Sequence, residues 1–330
     1  MKFALLLLCM LSQVQAISEA TYKTVYEAEV RPFFQTGEKR QFINSQNLEL
    51  SFYSFKDAQN SKTLVILPGR TEPAQKYAEL IYDLRNLGFD IFILDHQGQG
   101  ESDRRLKDSH KGYVRKFSHY VDDFKQWMNE VVIPESKGDK FLLTHSMGGA
   151  IASFYLAQSP NVFKKAALVA PMMQINTKPY SETVARALAT TLTGIGLGTT
   201  YAPGRGPYKA EDDTFEKNEV THSIVRFEMS KDLFLSHPQM ILGGPTTRWV
   251  RESLKATKHI DRLAPTINTP LLLLQAQQDL IVELPRQNVF CEKAHSCKLI
   301  AFESARHEVL MESDTIREQA LKVILEFFSE

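Results

Sequence analysis

Three residues far apart in the sequence have the side-chain types of a nucleophilic catalytic triad. Ser146, Asp279 and His307 supply a hydroxyl, a carboxylate and an imidazole, in that chain order. A serine hydroxyl is a weak nucleophile until a histidine accepts its proton, and the histidine needs a carboxylate to orient it. If the fold brings these side chains together, the chemistry they perform is acyl transfer through Ser146.

Ser146 lies in a strand–turn–helix pattern of the kind called a nucleophile elbow. The apolar residues 141–143 predict a short buried strand, and the small and apolar residues after Ser146 predict a helix. Gly148 follows two positions after the serine, as the tight turn requires, whereas Thr144 stands where the motif usually has glycine. The alternative interpretation is a serine that only caps an ordinary helix.

Asp279 and His307 each follow a predicted late strand. Asp279 is the only acidic residue in the loop after the strand at 271–274, and His307 lies between the strand at 298–302 and the last helix. Serine, acid, histidine is the chain order of this triad in folds that carry a nucleophile elbow. Taken singly, a loop aspartate usually caps a turn and a loop histidine is usually solvated. Their joint placement at the predicted strand ends favours catalysis.

Acyl transfer also needs hydrogen-bond donors for the oxyanion that forms on the substrate carbonyl. The backbone N–H after the nucleophile, that of Met147, is one predicted donor. The second donor should come from the loop after an early strand, and Pro68-Gly69-Arg70 follows the strand at 63–67. We therefore predict the Arg70 N–H as the second donor. The alternative is that Gly69 only marks a turn.

Apolar strands alternate with amphipathic helices over most of the chain, which predicts a parallel sheet covered by helices on both faces. Residues 17–171 and 246–330 are predicted to form this α/β core. Residues 172–245 interrupt the alternation and are predicted to be a cap or lid over the carboxyl ends of the strands, where such sheets bind ligands. Residues 17–37 give few structural signals, and residues 48–55 alternate in the manner of an edge strand.

The N-terminus has the pattern of a secretory signal peptide. Lys2 precedes the apolar run at 3–11, and a small-residue cleavage site ends at Ala16. Residues 1–16 therefore predict an exported protein, periplasmic or secreted. Cys291 and Cys297 remain after that cleavage, and an oxidising compartment favours a disulfide between them. Two free buried thiols are the alternative.

The overall charge excludes some partners. The chain has 330 residues with 39 Lys and Arg against 39 Asp and Glu, so its formal net charge is zero. Basic residues are not in excess, so the charge does not indicate a protein that binds nucleic acid.

His295 is the only histidine beside the two cysteines, so no metal-ligand spacing is present there. We therefore expect no metal site at these cysteines.

Several motifs together resemble the α/β-hydrolase superfamily. Within it, the chain is similar to bacterial lysophospholipases of the PldB type and to monoacylglycerol lipases. This resemblance implies a mostly parallel eight-stranded sheet with helices on both faces, a helical cap after strand six and no cofactor. It covers the chain from about residue 25 to its end and rests on the motifs at 68–72, 76–80, 88–90, 95–100, 120–123, 145–150, 243–246 and 249–253, with Asp279 and His307.

The resemblance implies a serine carboxylic-ester hydrolase that releases fatty acid from lysophospholipids through an acyl-enzyme. A monoacylglycerol lipase or general carboxylesterase is the alternative, although such lipases have histidine where this chain has Pro68. An aminopeptidase of the same fold would need cap acids such as Glu211, Asp212 and Asp213 to hold an amine. A catalytically inactive binding protein is the remote alternative. The expected partner is a single-chain lipid, with peripheral membrane contact through the cap as a further expectation.

Overall fold

The sheet has eight strands and is mostly parallel, as predicted. The computed structural model describes residues 16–330, so the predicted signal peptide lies outside the described residues except for Ala16. The strand order is β1-β2-β4-β3-β5-β6-β7-β8, with β2 antiparallel to both neighbours and all later pairs parallel. The strands are β1 Glu38–Ile43, β2 Glu49–Phe55, β3 Lys62–Leu67, β4 Phe89–Leu94, β5 Lys140–His145, β6 Lys165–Val169, β7 Leu271–Ala276 and β8 Cys297–Phe302.

Helices follow most of the strands. The α-helices are α1 Tyr22–Val25, α2 Arg31–Gln35, α3 Ala78–Leu84, α4 Ser118–Trp127, α5 Ile133–Glu135, α6 Met147–Gln158, α7 Glu182–Gly194, α8 Ile224–Ser236, α9 Thr247–Thr257, α10 Leu284–Lys293 and α11 Asp314–Ser329. The π-helical turns Tyr26–Val30 and Met128–Val132 join α1 to α2 and α4 to α5. Short 3₁₀ turns lie at Ala74–Tyr77, Leu197–Thr199, Phe215–Lys217, Pro238–Met240, Ile260–Arg262, Ala264–Thr266 and Val309–Met311.

The two faces of the sheet bury separate apolar cores. Because successive side chains of a strand point to opposite faces, Leu142 packs on one side of the sheet while Phe141 and Leu143 pack on the other. Helices α4, α6, α9 and α10 cover the Leu142 side, and α2, α3 and α11 cover the opposite side. This double cover explains why the central strands are continuous apolar runs in the sequence.

The chain before β3 differs from the prediction. Residues 22–35, which give few sequence signals, form a nearly continuous helix. The prediction that residues 48–55 are an edge strand is wrong, because β1 pairs with β2 along its whole length. Strand β1 escaped prediction because it is largely polar, and only Phe42 is buried. It forms the true edge of the sheet, where charged side chains are tolerated.

Residues 172–245, which lie between β6 and β7, carry helices α7 and α8 and no strand of the sheet. Isolated bridges tie it to the core, one between Ile175 and Val282 and another between Tyr201 and Thr246. No helix among residues 16–330 has both the length and the apolar content needed to cross a bilayer.

The start of the described chain is fastened to this segment and to the last helix. The buried Arg226 of α8 donates to the Ile17 carbonyl at 2.9 Å and pairs with Glu79 at 2.9 Å. Asp314, at the start of α11, accepts from the Glu19 N–H at 2.8 Å and pairs with Arg226 at 3.0 Å. One buried cation thus links the first residues, α3, α8 and α11.

The predicted disulfide between Cys291 and Cys297 is present and joins the end of α10 to the start of β8. We expect the double substitution Cys291→Ala/Cys297→Ala to lower the free energy of unfolding by about 2 kcal/mol, because the bridge closes only a short loop in the unfolded chain. Urea unfolding of the oxidised protein and the double variant measures this. Equal midpoints would show that the bridge adds nothing to stability.

Candidate active site

Ser146 occupies a strained turn between β5 and α6. Its φ is 47° and its ψ is −114°, a backbone conformation that non-glycine residues rarely adopt. The Ser146 N–H donates to the Val169 carbonyl at 3.0 Å, which fixes the turn to the neighbouring strand. Strain of this kind persists only where the surrounding structure enforces it, and it is common at functional sites.

The residues around the turn explain the departure at Thr144. A β-carbon on Gly148 would collide with the carbonyl oxygens of Leu67 and Pro68, so that position requires glycine. Thr144 is buried, and its hydroxyl lies 3.4 Å from the Ala167 carbonyl oxygen. A β-carbon on Gly149 would lie 3.4 Å from the Thr144 hydroxyl and 2.6 Å from the side chain of Pro171. Gly149, on the helix side of the elbow, therefore provides the space that Thr144 and Pro171 need.

The structure brings the three predicted triad side chains into one hydrogen-bonded chain. His307 Nε2 lies 2.9 Å from Ser146 Oγ, and His307 Nδ1 lies 2.6 Å from Asp279 Oδ2. The other oxygen of Asp279 accepts the N–H groups of Ile281 and Val282 at 2.7 and 3.1 Å. All three triad side chains are buried. The arrangement is geometrically able to move a proton from the serine hydroxyl to the imidazole.

The predicted oxyanion donors lie on adjoining segments. Residues 68–70 follow β3, and the carbonyls of Leu67 and Pro68 contact the first turn of α6 at Gly148. Within residues 16–330, neither the Arg70 N–H nor the Met147 N–H donates to a protein acceptor. His96 supports the loop, because its Nε2 donates to the Pro68 carbonyl at 2.9 Å. Burial lowers the pKa of His96 to about 4, so the ring is neutral near pH 7.

A buried charge network behind the triad was missed by the sequence reasoning. Glu72 accepts the Gly69 N–H at 2.5 Å and the Tyr77 hydroxyl at 2.7 Å, and it lies 2.9 Å from His145 Nδ1. The other ring nitrogen of His145 lies 3.1 Å from the carbonyl oxygen of His307. Since both nitrogens face acceptors, both must donate, and His145 is an imidazolium. Glu72 and His145 both lie in motifs that the sequence analysis singled out, at 68–72 and 145–150. Nothing in the sequence showed that the two side chains meet.

The pKa shifts of the pair agree with this protonation. Burial alone would raise the pKa of Glu72, but His145 and then Lys76 outweigh it and hold that pKa well below its ordinary value. Burial would lower the pKa of His145, but Glu72 outweighs it and raises that pKa. Lys76 also pairs with Glu308 at 2.5 Å. The network therefore joins residues 68–70, through Gly69, to the loop that carries His307.

We expect Glu72→Gln to lower the free energy of unfolding by about 3–5 kcal/mol, because it leaves a buried imidazolium without its partner. Glu72, with its depressed pKa, stabilises the fold above about pH 4.5, the ordinary value, and that contribution disappears as the pH falls. His145, with its raised pKa, stabilises it below about pH 6.5, and that contribution disappears as the pH rises. The difference between wild type and variant should therefore be largest near pH 5–6.

Urea unfolding at several pH values measures this difference. Glu27→Gln is the matched control, since Glu27 pairs with Arg31 on an exposed helix face and should change stability little. A difference between wild type and Glu72→Gln that stays flat from pH 5 to pH 9 would contradict the ion pair.

Two of the three acids that would serve an aminopeptidase already have partners. Asp212 is exposed and pairs with Lys217 at 2.9 Å, while Asp213 accepts the Tyr208 hydroxyl at 2.7 Å. Among residues 16–330 no three His, Cys, Asp or Glu side chains are grouped as metal ligands would be.

The doubly covered sheet, the strained serine and the adjoining imidazole define the chain as a serine hydrolase with the α/β-hydrolase fold. The model of the family described as serine aminopeptidase, S33, matches residues 58–314, and the chain belongs to this family. A shared fold does not fix one substrate, so the description does not by itself assign peptide cleavage.

Two relatives indicate the branch of the family. Lysophospholipase L2 of Escherichia coli (strain K12) is 35% identical over 304 residues, which are 90% of this chain and 89% of that protein. Monoglyceride lipase of Mus musculus is 26% identical over 257 residues, 77% of each chain. A solved structure, a thermostable carboxyl esterase from Bacillus coagulans, superposes with a TM-score of 0.72 at 16% identity over 89% of this chain and 98% of that one. The chain is a serine ester hydrolase.

Proposed function

We propose that the chain hydrolyses the acyl ester of lysophospholipids through an acyl-enzyme on Ser146. The hydrogen-bonded chain from Ser146 through His307 to Asp279 carries this proposal. His307 accepts the serine proton as Ser146 attacks the carbonyl carbon, and it returns that proton to the departing glycerol oxygen. A water molecule, activated by the same imidazole, then releases the fatty acid. The N–H groups of Arg70 and Met147 receive the oxyanion in both steps.

The lysophospholipid is favoured as substrate by the relative named lysophospholipase, which is more similar to this chain than the monoglyceride lipase. The direct test is fatty-acid release from lysophosphatidylcholine and from monoacylglycerol of the same chain length. An aminoacyl amide in a parallel reaction tests the aminopeptidase alternative. We expect the lysophospholipid to have the higher kcat/KM. A preference for monoacylglycerol would make the chain a glyceride lipase, and cleavage of the amide alone would overturn ester hydrolysis.

We further propose that residues 172–245 form a cap that touches lipid surfaces. Large apolar side chains in and beside α7 are exposed, among them Tyr180, Val184, Leu188, Ile195 and Leu197. Val184 and Leu188 lie one turn apart on α7, and Ile195 follows its last residue. Exposed apolar side chains grouped on one side of a helix are typical of an interfacial contact.

We expect Val184→Asp/Leu188→Asp to reduce co-sedimentation with phosphatidylcholine vesicles several-fold while activity on a soluble short-chain ester is retained. Ile43→Asp is the matched control, since Ile43 is also exposed but lies on β1 at the far edge of the sheet. Equal sedimentation of wild type and the double variant would contradict the proposed contact between α7 and the lipid surface.

We also propose that the protein is exported. Residues 1–16 have the charge, apolar length and small cleavage residues of a signal peptide. A disulfide between Cys291 and Cys297 fits an oxidising compartment. Mass measurement of the protein recovered from the periplasm or the medium should give a chain that begins at Ile17. A mature protein that retains residues 1–16 would contradict cleavage there.

A further inference from the structure

Arg70 has a side chain that the oxyanion role of its backbone does not use. Its guanidinium stacks over the Trp249 ring at 5.2 Å, and Nη2 donates to the Gly243 carbonyl. A β-carbon on Gly112 would collide with the same guanidinium. The side chain therefore runs from the oxyanion loop to the junction between the inserted segment and α9, held in one direction by an aromatic face and by glycine backbone.

Within the part of the chain that the structure describes, the Arg70 guanidinium has no counter-ion. Among residues 16–330, no carboxylate lies within 4.0 Å of the guanidinium of Arg70, and its Nε is buried without a hydrogen-bond partner. Burial, reinforced by Arg205, lowers the pKa of Arg70 to about 10. The two fully buried arginines behave differently from the half-buried Arg70: Arg226 pairs with Glu79 at 2.9 Å, and Arg317 pairs with Asp83 at 2.7 Å. Burying an unpaired charge is costly, so an unneutralised guanidinium beside an active site indicates a place for an anion.

Arg205 adds a second positive charge at the same junction. Its β-carbon packs on Gly244, next to the glycine whose carbonyl binds Arg70, and the residue is exposed. The N–H groups of Gly243 and Gly244 are already bound to the carbonyls of His110 and Gly206, at 2.7 and 2.8 Å. The groups left to receive an anion are thus the two guanidinium groups, with Arg70 inside and Arg205 at the rim.

We propose that Arg70 and Arg205 form a subsite for the phosphate of the lysophospholipid headgroup. This inference rests on the proposed function. In the proposed mechanism the backbone N–H of Arg70 receives the oxyanion, while its guanidinium lies at the junction beside Trp249 and Gly243. A phosphate accepts planar, forked hydrogen bonds from guanidinium groups. A monoacylglycerol has only a hydroxyl at that place and gains nothing from the pair.

The proposal is tested by the ratio of kcat/KM for a lysophosphatidylcholine to that for the monoacylglycerol of the same chain, both below their micellar concentrations. We expect Arg70→Met to lower this ratio about tenfold or more, and Arg205→Met to lower it several-fold, because charge-assisted hydrogen bonds are lost only with the phosphate. Arg70→Lys should recover part of the ratio. Arg31→Met, an exposed arginine paired with Glu27, should leave the ratio unchanged.

A purely structural role for Arg70 would lower both kcat/KM values together, and that result would overturn the subsite, as would an unchanged ratio. Glycerol 3-phosphate and inorganic phosphate, added as inhibitors of monoacylglycerol hydrolysis, separate a headgroup site from a general phosphate site. Inhibition by inorganic phosphate alone would overturn the headgroup assignment.

Calorimetric binding of an ether-linked lysophospholipid, compared with the matching alkylglycerol, is independent of turnover. If wild type hydrolysed neither ester, the proposed function would fail. A loss of lysophospholipid binding in Arg70→Met would still support the subsite, and equal binding by both proteins would overturn it.

Discussion

Ser146→Ala should lower kcat on any ester by about 10⁴- to 10⁶-fold, because removal of the nucleophile leaves only the binding and oxyanion contributions. The fold should survive. The Ser146 hydroxyl contacts only His307 among the hydrogen-bonding groups of residues 16–330, so its removal should change the free energy of unfolding by about 1 kcal/mol or less. Steady-state rates with a soluble ester, alongside urea unfolding, measure both quantities. Residual activity above one hundredth of wild type (about 2.7 kcal/mol of barrier) would remove Ser146 from the mechanism.

The strained backbone provides an internal check on that variant. Alanine keeps the β-carbon that makes a φ of 47° costly, whereas glycine does not. Ser146→Gly should therefore be as inactive as Ser146→Ala yet more stable by about 1 kcal/mol.

In the wild-type enzyme, a burst of alcohol before steady state and a mass increase on the peptide containing Ser146 would show the acyl-enzyme. A linear time course together with an unmodified peptide would show that no acyl-enzyme accumulates, either because acylation is the slow step or because water attacks directly.

Asp279→Asn should lower kcat by about 10³- to 10⁴-fold, because it fixes the wrong tautomer of His307. Oδ1 of Asp279 accepts the N–H groups of Ile281 and Val282, so an asparagine must keep its carbonyl oxygen there. Its amide nitrogen would then face His307 Nδ1, which must become an acceptor. The imidazole proton moves to Nε2, where it faces Ser146 and cannot accept the hydroxyl proton.

Asp212→Asn is the matched control for this substitution, since Asp212 is an exposed acid paired with Lys217. Its rate should equal that of wild type. A loss of less than tenfold in Asp279→Asn would show that another group orients His307. Retained unfolding midpoints in both variants would confirm that the effect is on catalysis and not on folding.

The grouping of Ser146, Asp279 and His307 could be predicted from sequence because each residue follows a predicted strand, which is a continuous apolar run before Ser146 and Asp279. Strands buried on both faces, such as β5 and β7, leave strong signals, and their carboxyl ends must meet at one edge of the sheet. The edge strand β1 is largely polar, so its sequence carries only a weak signal for a strand. No sequence pattern indicates the pairing of Glu72 with His145, because it depends on two loops that only the folded chain brings together.

The contacts of Ile17 and Glu19 have a practical consequence for making this protein. Arg226 and Asp314 take part of their hydrogen-bonding from the first residues of the proposed mature chain. A chain trimmed past Glu19 would leave a buried guanidinium short of partners and would loosen α8 from α11. A bulky fusion joined directly to Ile17, which is only 6% exposed, would press on the same place. Variants for assay should therefore begin at Ile17 or carry a cleavable leader with a flexible spacer.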